Sequence, residues 1–150
     1  MATQIGFVSA SNRWGSHYDD FMKLVPANVD IHIKALGLYT AELMELAGKR
    51  AVHVAKTAEF AKDESWEGVA IMGAPMEVQN PGLAVDIRAA VSIPVTTALE
   101  AGAAALRALG TRKALLLCPF DERLKGMLRA HLACEGIEAI LPSDAFETIA

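Results

Sequence analysis

The chain has 150 residues, of which 53% are hydrophobic and 21% are charged. This length and apolar content are enough for one domain with a hydrophobic core. A formal net charge of -4 without a basic stripe argues against a nucleic-acid partner. No apolar run approaches the roughly 18 residues that span a bilayer, and the first residues lack a signal-peptide pattern, so no membrane partner is expected. Cys118 and Cys134 form no disulfide framework, which favours a reducing, cytoplasmic location.

Strands and helices alternate along the whole sequence. Short apolar or period-two stretches bounded by Gly, Pro or Asn predict strands, and longer stretches with one apolar face predict helices. In chain order the predicted elements are a strand at 4–8, a helix at 16–24, a strand at 28–34, a helix at 41–61, a strand at 69–72, a helix at 83–91, a strand at 92–96, a helix at 98–109, a strand at 113–118, a helix at 122–134 and a strand at 136–141. This alternation predicts an α/β fold with a mostly parallel open sheet and helices on both faces.

Two of the predicted strands differ in character. Residues 28–34 alternate between apolar and polar side chains, which is typical of a half-exposed strand at a sheet edge. Residues 69–72 are all apolar and run directly into Gly73-Ala74-Pro75-Met76, which predicts a strand buried on both faces followed by a tight turn. Ligands of open α/β sheets bind beyond the carboxyl ends of the strands, so we expect Gly73 to Met76 to form part of the floor of a site.

Four predicted strand ends could meet at one sheet edge. They supply Ser9 to Asn12, Gly73 to Met76, Thr96 with Thr97, and Cys118 to Phe120. Hydroxyl and amide side chains, together with backbone N–H groups, suit a carboxylate or another small anion.

Each of these residues also has a purely structural interpretation. Ser9 and Asn12 can cap the first helix, and the two threonines can cap the helix that begins at residue 98. Cys118 can be a small core residue. The sequence contains no dinucleotide-binding glycine motif, Walker-type motif or nucleophile elbow, and its four histidines lack metal-ligand spacing, so no metal site is predicted.

Residues 93–132 carry a resemblance to a known family. The strand Ile93-Pro-Val-Thr-Thr leads to a helix that ends Leu106-Arg-Ala-Leu-Gly110, and a strand that ends Cys118-Pro-Phe120 follows. Together with the opening Ile5-Gly-Phe-Val-Ser-Ala-Ser-Asn12, this pattern resembles the aspartate/glutamate racemase superfamily, in the branch that contains maleate cis-trans isomerase and arylmalonate decarboxylase. The resemblance covers nearly all of the chain.

The resemblance implies two similar α/β lobes with the active site between them. Residues 1–112 would form the first lobe of a single α/β unit, and residues 113–150 would begin the second. In the family each lobe normally supplies a cysteine, and the two thiols act as acid and base on the carbon next to a carboxylate, without a cofactor. The decarboxylases lack the first cysteine. The implied ligand is a small carboxylate or dicarboxylate, and its developing enediolate needs hydrogen-bond donors.

This chain departs from the family pattern in three places. The first-lobe cysteine motif aligns with Gly73 to Met76, where Ala74 cannot transfer a proton and Pro75 has no N–H. The family's tyrosine after the fifth strand is Phe120 here, and Ala150 precedes the segment where the second-lobe cysteine would lie. Cys118 is then the candidate proton carrier, because it is the only cysteine near the predicted site edge.

Two functional interpretations follow. In the first, the protein is a cofactor-independent isomerase, racemase or decarboxylase. Its predicted carboxylate ligands are Ser9 and Asn12, and the residues expected to shape the anion pocket are Gly73, Ala74, Pro75, Thr96, Thr97 and Phe120. In the second, it is a catalytically silent homologue that binds a small acid or a partner subunit, since this pocket keeps an apolar wall but few donors. Whether the chain is the front part of a longer protein or is completed by self-association, an open sheet edge favours a homo-oligomer.

Overall fold

The computed structural model describes residues 2–11, 19–39 and 42–142. The strands are β1 (Thr3–Ser9), β2 (Val29–Ala35), β3 (Gly68–Met72), β4 (Val95–Thr97), β5 (Lys113–Leu115) and β6 (Glu138–Ile140). The helices are α1 (Asp19–Met22), α2 (Arg50–Asp63), α3 (Ala74–Gln79), α4 (Leu83–Ala90), α5 (Ala98–Ala108) and α6 (Glu122–Cys134), with a 3-10 turn at Leu43–Leu46. The predicted α/β fold is confirmed. The chain divides into two compact units, Met1–Ala98 and Leu99–Ala150.

The first unit contains a four-stranded parallel sheet in the order β2-β1-β3-β4. β2 lies at one edge, as its alternating pattern predicts, and its side chains are mostly half-buried. β3 lies between β1 and β4 and buries Val69 and Ile71, which matches its continuous apolar sequence. The carboxyl ends of β1 and β3 therefore lie side by side at one edge of the sheet.

The core of the first unit packs around these central strands. Its buried apolar side chains include Val8, Leu36, Leu46, Trp66, Ile71, Met76, Leu83 and Ile87. Gly6 allows the ring of Trp66 to pack directly on β1, since an added Cβ would lie 2.1 Å from Trp66 Cε3. The glycine in this strand is thus a packing requirement and not a turn signal.

The predicted single helix over 41–61 is wrong at its beginning. The described chain forms the 3-10 turn at Leu43–Leu46, then passes through Gly48 with φ +75°, and α2 begins only at Arg50. A positive φ suits glycine and interrupts a helix, which explains the break. Thr40, which precedes the predicted helix and is a residue type that can cap one, lies outside the described residues, as do residues 16–18 of the predicted first helix.

The predicted tight turn after β3 is also wrong, because the chain there forms the short helix α3. Gly73 precedes it with φ +92°, and Pro75 lies in its first turn, where the missing N–H of proline costs no helical hydrogen bond. Two side chains at the end of this segment brace it: Gln79 Nε2 donates to Leu43 O at 2.9 Å and Asn80 Nδ2 to Leu46 O at 2.8 Å. The segment after β3 is therefore held against the 3-10 turn.

The second unit pairs β5 and β6 in parallel and packs α6 on them. Asp121 caps α6, because its carboxylate accepts the Leu124 N–H at 2.8 Å. The buried cluster is small and consists of Ala103, Leu132, Ile137 and Ala139. β5 ends at Leu115 and not at Cys118, so the predicted cysteine lies beyond the strand. Among the described residues no helix is long and apolar enough to cross a membrane.

Candidate functional site

The turn after β1 is fixed by its own serines and by the segment after β2. Ser9 Oγ accepts the Ser11 N–H at 3.2 Å and donates to Ser11 Oγ at 3.0 Å. The carbonyls of residues 9, 10 and 11 accept backbone N–H groups from Leu36, Leu38 and Gly37, respectively, at 2.7 to 2.9 Å. This arrangement holds the Ser9 hydroxyl at the carboxyl edge of the sheet, where it stabilises the turn. To donate to an anion, the hydroxyl would have to give up its hydrogen bond to Ser11 Oγ.

The end of β3 presents backbone at the same edge. The Gly73 carbonyl accepts the Met76 N–H at 3.1 Å, and Gly73 itself is exposed. A Cβ placed on Gly73 would meet no atom within 4 Å, so its backbone faces open space. Pro75 and Met76 are buried behind it. Residues Gly73 to Met76 therefore lie at this edge of the sheet, and the buried part of this segment is apolar and lacks side-chain donors.

The two strand ends enclose a small cavity of about 50 Å³. Its lining residues are Ser9, Ala10, Ser11, Tyr39, Leu43, Leu46, Met72, Gly73, Pro75 and Met76. A space of this size is large enough for water molecules or for one carboxylate group. Its polar side chains are the two serines and Tyr39.

Three predicted site residues, Ser9, Gly73 and Pro75, meet at this cavity. Ala74 is half-buried at the start of α3 and does not line it. Thr96 and Thr97 pair with Ala70 and Ile71 within the sheet and do not line it either. Asn12 lies outside the described residues.

Sequence reasoning missed Tyr39 and Leu43 as cavity residues. Tyr39 follows β2, whose carboxyl end faces the same way as that of β1 because the strands are parallel. The expectation of a parallel sheet could therefore have placed Tyr39 near the end of β1. Leu43 belongs to the 3-10 turn, which the sequence pattern placed inside a long helix.

The second unit holds the remaining candidates, Cys118 and Phe120. Both are half-buried in the segment between β5 and α6. Lys125 has a raised pKa, chiefly because it donates a hydrogen bond to Glu122 at 2.8 Å, with smaller contributions from the charges of Glu122, Cys118 and Asp121. The ammonium group of Lys125 is thus engaged by Glu122, while Phe120 supplies no hydrogen-bond donor.

One buried histidine is strongly perturbed, but it does not line the cavity. His53 on α2 is fully buried, its Nδ1 lies 3.2 Å from Thr57 Oγ1, and burial lowers its pKa to about 4. It is a neutral core side chain at physiological pH. Within the described ranges, no group of three or more His, Cys, Asp or Glu residues is placed to hold a metal ion.

Comparisons with known proteins give matches only among solved structures. Neither a protein-family model nor a curated protein matches the chain. Unliganded arylmalonate decarboxylase matches with 26% identity and a TM-score of 0.64, over 92% of this chain and 60% of that chain. A mutant of Nocardia farcinica maleate cis-trans isomerase with a covalently bound succinylcysteine intermediate matches with 19% identity and a TM-score of 0.70, over 94% of this chain and 64% of that chain.

A variant of maleate isomerase from Pseudomonas putida S16, solved with maleate, also matches, with 16% identity and a TM-score of 0.66. That match covers 93% of this chain and 62% of that one. The present chain thus spans about 60% of the length of the solved relatives it matches. The resemblance predicted from the sequence is confirmed: the chain has the α/β fold of the aspartate/glutamate racemase superfamily.

Proposed function

We propose that the protein acts on a small carboxylate or dicarboxylate by proton transfer at the carbon next to the carboxylate, without a cofactor. The similarity to arylmalonate decarboxylase and maleate isomerase over more than nine-tenths of the chain carries this proposal. The relatives supply the chemical precedent, since one solved isomerase holds maleate and another holds a succinylcysteine intermediate. In the same proposal, residues 1–112 correspond to a first lobe and residues 113–150 to the start of a second.

The carboxylate is proposed to bind at the carboxyl edge of the first unit. Ser9 and Asn12 would donate to it, the backbone around Gly73 and Ala74 would approach it closely, and Thr96 and Thr97 would shape the surroundings. The small cavity between β1 and β3 supports this placement, because it fits one carboxylate group beside Ser9. The rest of the ligand would lie outside the cavity, over the exposed Gly73.

Cys118 is the proposed proton carrier. As a thiolate it would take the proton from the carbon next to the carboxylate, leaving an enediolate, and would return a proton to that carbon. In a decarboxylation, the carbon–carbon bond to the departing CO₂ would break first and the thiol would then protonate the carbanion. The half-buried position of Cys118 supports this role, because a catalytic thiol needs access to a substrate.

A second candidate function is a silent homologue that binds a small acid or a partner subunit. The apolar floor favours it: Pro75 and Met76 are buried behind the strand end, Ala74 carries no thiol, and Phe120 carries no hydroxyl. Under this alternative the carboxylate site remains, but no proton moves. The two candidates therefore share the anion site and differ only in the thiol.

Proton NMR in D₂O with maleate, aspartate, glutamate and malonates separates the two candidates. We expect deuterium uptake, isomerisation or CO₂ loss with the wild type and with Cys134→Ser, a matched control at an exposed cysteine, but not with Cys118→Ser. Turnover that survives in Cys118→Ser would remove this residue as the proton carrier. No turnover on any acid, together with saturable line broadening of one, would favour the silent homologue.

Asn12→Ala tests the anion site in both candidates. We expect weaker binding of any carboxylate that binds the wild type, because one hydrogen bond to a charged group typically contributes about 1.5–3 kcal/mol. Isothermal titration calorimetry measures the change. Unchanged affinity would remove the role proposed for the first turn.

A further inference from the structure

The outer side of β2 carries a row of unpaired backbone groups. Leu36 N–H donates to Ser9 O, and Asn28 O accepts from Thr3 N–H. The even-numbered residues of this segment therefore point their backbone N–H and C=O groups toward β1. Alternate residues of a parallel strand point their backbone groups to opposite sides, so those of Ile31 and Ile33 point away from the sheet. Within the described part of the chain, no hydrogen bond joins these outward groups to another segment.

The sequence of β2 is chemically symmetric about its middle residue. In Val29-Asp-Ile-His-Ile-Lys-Ala35, apolar and polar residues alternate in the same order from either end. The two charged residues, Asp30 and Lys34, lie at equal distances on either side of His32 and have opposite charges. An antiparallel pair of two such strands, centred on His32, would place every apolar residue opposite an apolar one. It would also place each Asp30 opposite the Lys34 of the other strand.

We propose that β2 is a self-recognition edge, through which two copies of the chain pair antiparallel about a two-fold axis at His32. The outward backbone groups fit this register, because Ile31 and Ile33 of the two copies would form hydrogen-bonded pairs and His32 would form the closer, non-hydrogen-bonded pair. A shift of the register by two residues in one direction would bring Lys34 opposite His32 and would lose both Asp–Lys pairs. Charge complementarity therefore selects the second copy as the occupant and fixes the register.

The charged side chains are already held on the strand surface. Asp30 Oδ2 accepts a hydrogen bond from Gln4 Nε2 at 3.1 Å, and Lys34 Nζ contacts Glu64 and lies 5.2 Å from the centre of the Phe60 ring. An ammonium has three donors, so Lys34 can keep Glu64 and still bind Asp30 of the second copy. Ordering these side chains beforehand reduces the entropy that pairing costs.

The strand alone would bury less surface than a stable dimer needs, which is about 1,000 Å² or more. An open groove of about 400 Å³ lies along the first half of β2 and supplies further contact area. Apolar side chains of Met22, Val25, Val29 and Ile31 contribute to its lining. Leu24, between Met22 and Val25 in the chain, is 80% exposed and adds apolar surface to this part of the chain.

Charge exchange at β2 tests the proposal on the full chain by sedimentation velocity. We expect the wild type to dimerise, and Asp30→Lys or Lys34→Asp alone to raise the dimer Kd about tenfold or more, since each puts two like-charged pairs across the axis. Mixing the two variants should restore a dimer, because every lysine would then face an aspartate. Glu59→Lys, an exposed acid on α2, is the matched control and should leave the Kd unchanged.

Cysteine cross-linking tests the register independently of charge. In a Cys118→Ser, Cys134→Ser background, His32→Cys should form an intermolecular disulfide, because residues at the axis lie within bonding distance. Lys34→Cys should not, since the two copies of this residue would be about 13 Å apart along the strands. Three results would each overturn the proposal. The first is a wild type that stays monomeric at about 100 μM, a concentration at which a dimer of micromolar affinity would form. The others are a mixture of the two charge variants that dimerises no better than either alone, and cross-linking at residue 34 instead of residue 32.

Discussion

The two compact units of the chain follow the same alternation of strand and helix but differ in the size of their sheets and of their continuous buried clusters. The first unit builds four parallel strands over a large continuous core that includes Trp66 and Ile87. The second builds two strands over a small cluster, and Leu115 and Leu117 remain 54% and 72% exposed. The second unit also buries Leu124 and Leu128 on α6, so its strand pair depends on packing against that helix.

The same contrast applies to the proposed chemistry. The first unit offers hydroxyls and exposed backbone at Ser9, Ser11 and Gly73, but no thiol. The second unit offers the thiol of Cys118. Substitutions in the first unit should therefore affect stability and carboxylate binding, whereas those around Cys118 should affect turnover with little loss of stability.

Truncation of a core residue in the first unit should have the largest effect. Ile87 is completely buried on α4, so Ile87→Ala should reduce the free energy of unfolding by about 2–5 kcal/mol, from lost burial and the cavity left behind. Leu115→Ala is the comparison in the second unit and should cost less than about 1 kcal/mol, because more than half of that side chain is exposed. Urea denaturation followed by circular dichroism measures both. Equal losses would contradict the difference in burial between these two side chains.

The buried His53 should make the first unit sensitive to acid. Its pKa is lowered from 6.5 to about 4 by burial. Between these two pH values the imidazole is protonated in the unfolded chain and neutral in the folded chain. Stability is therefore independent of this group above pH 6.5 and falls as the pH drops from 6.5 to 4, by about 3 kcal/mol in total. Urea midpoints across this range, compared with those of His53→Leu, isolate the effect; an identical pH dependence in the variant would refute it.

A second acid-sensitive group acts at lower pH. The pKa of Glu64 is lowered from 4.5, chiefly by the hydrogen bond from Lys34. A carboxylate with a depressed pKa stabilises the fold above its ordinary value, and this stabilisation is lost as the pH falls through the folded-state value. Glu64→Gln should therefore flatten the stability curve below pH 4.5 and leave the His53 region unchanged. A changed slope between pH 5 and 6.5 would contradict this assignment.

Two glycine substitutions should change stability in opposite directions. Gly6→Ala places a Cβ against the ring of Trp66 and should cost about 1–3 kcal/mol through overpacking. Gly102→Ala on α5 meets no atom within 4 Å and should raise stability by about 0.5–1 kcal/mol, because alanine is the better helix former. Thermal melts of the two variants give the comparison. A destabilised Gly102→Ala would indicate a close contact at that position.

Loss of the helix cap should have a small effect confined to the second unit. Asp121→Ala removes the acceptor of the Leu124 N–H and should cost about 1 kcal/mol, while Asp121→Asn should keep most of the stability. Hydrogen exchange should accelerate in α6 and stay unchanged in α4. Faster exchange in both helices would mean that the two units unfold together.

Much of the fold could be predicted because the signals are local. The continuous apolar run of β3, the alternation of β2 and the Asp121 cap each determine their element from adjacent residues. The break at Gly48 was hidden, because the apolar pattern of residues 41–61 continues across it and only the positive φ interrupts the helix. Helix α3 could not be predicted, because the sequence Gly73-Ala74-Pro75 is as typical of a tight turn as of the beginning of a helix.

The site could be predicted less completely than the fold. Ser9, Gly73 and Pro75 share a cavity because the carboxyl ends of neighbouring parallel strands meet, which the strand order alone requires. Tyr39 and Leu43 come from segments after β2, and their positions depend on tertiary packing of the 3-10 turn. Thr96 and Thr97 were expected at the same place, but their strand pairing with β3 leaves them outside the cavity.

The most direct test of the account is a titration of ¹⁵N-labelled protein with maleate, followed by amide chemical shifts. Carboxylate binding at the carboxyl edge of the first unit predicts saturable shifts concentrated at the amides of Ser9 to Ser11 and of Met72, Gly73, Ala74 and Met76, and these shifts should be reduced in Ser9→Ala. Shifts at these amides would support the anion site that both proposed functions share. Saturable shifts that avoid them, or that are unaffected by Ser9→Ala, would contradict it.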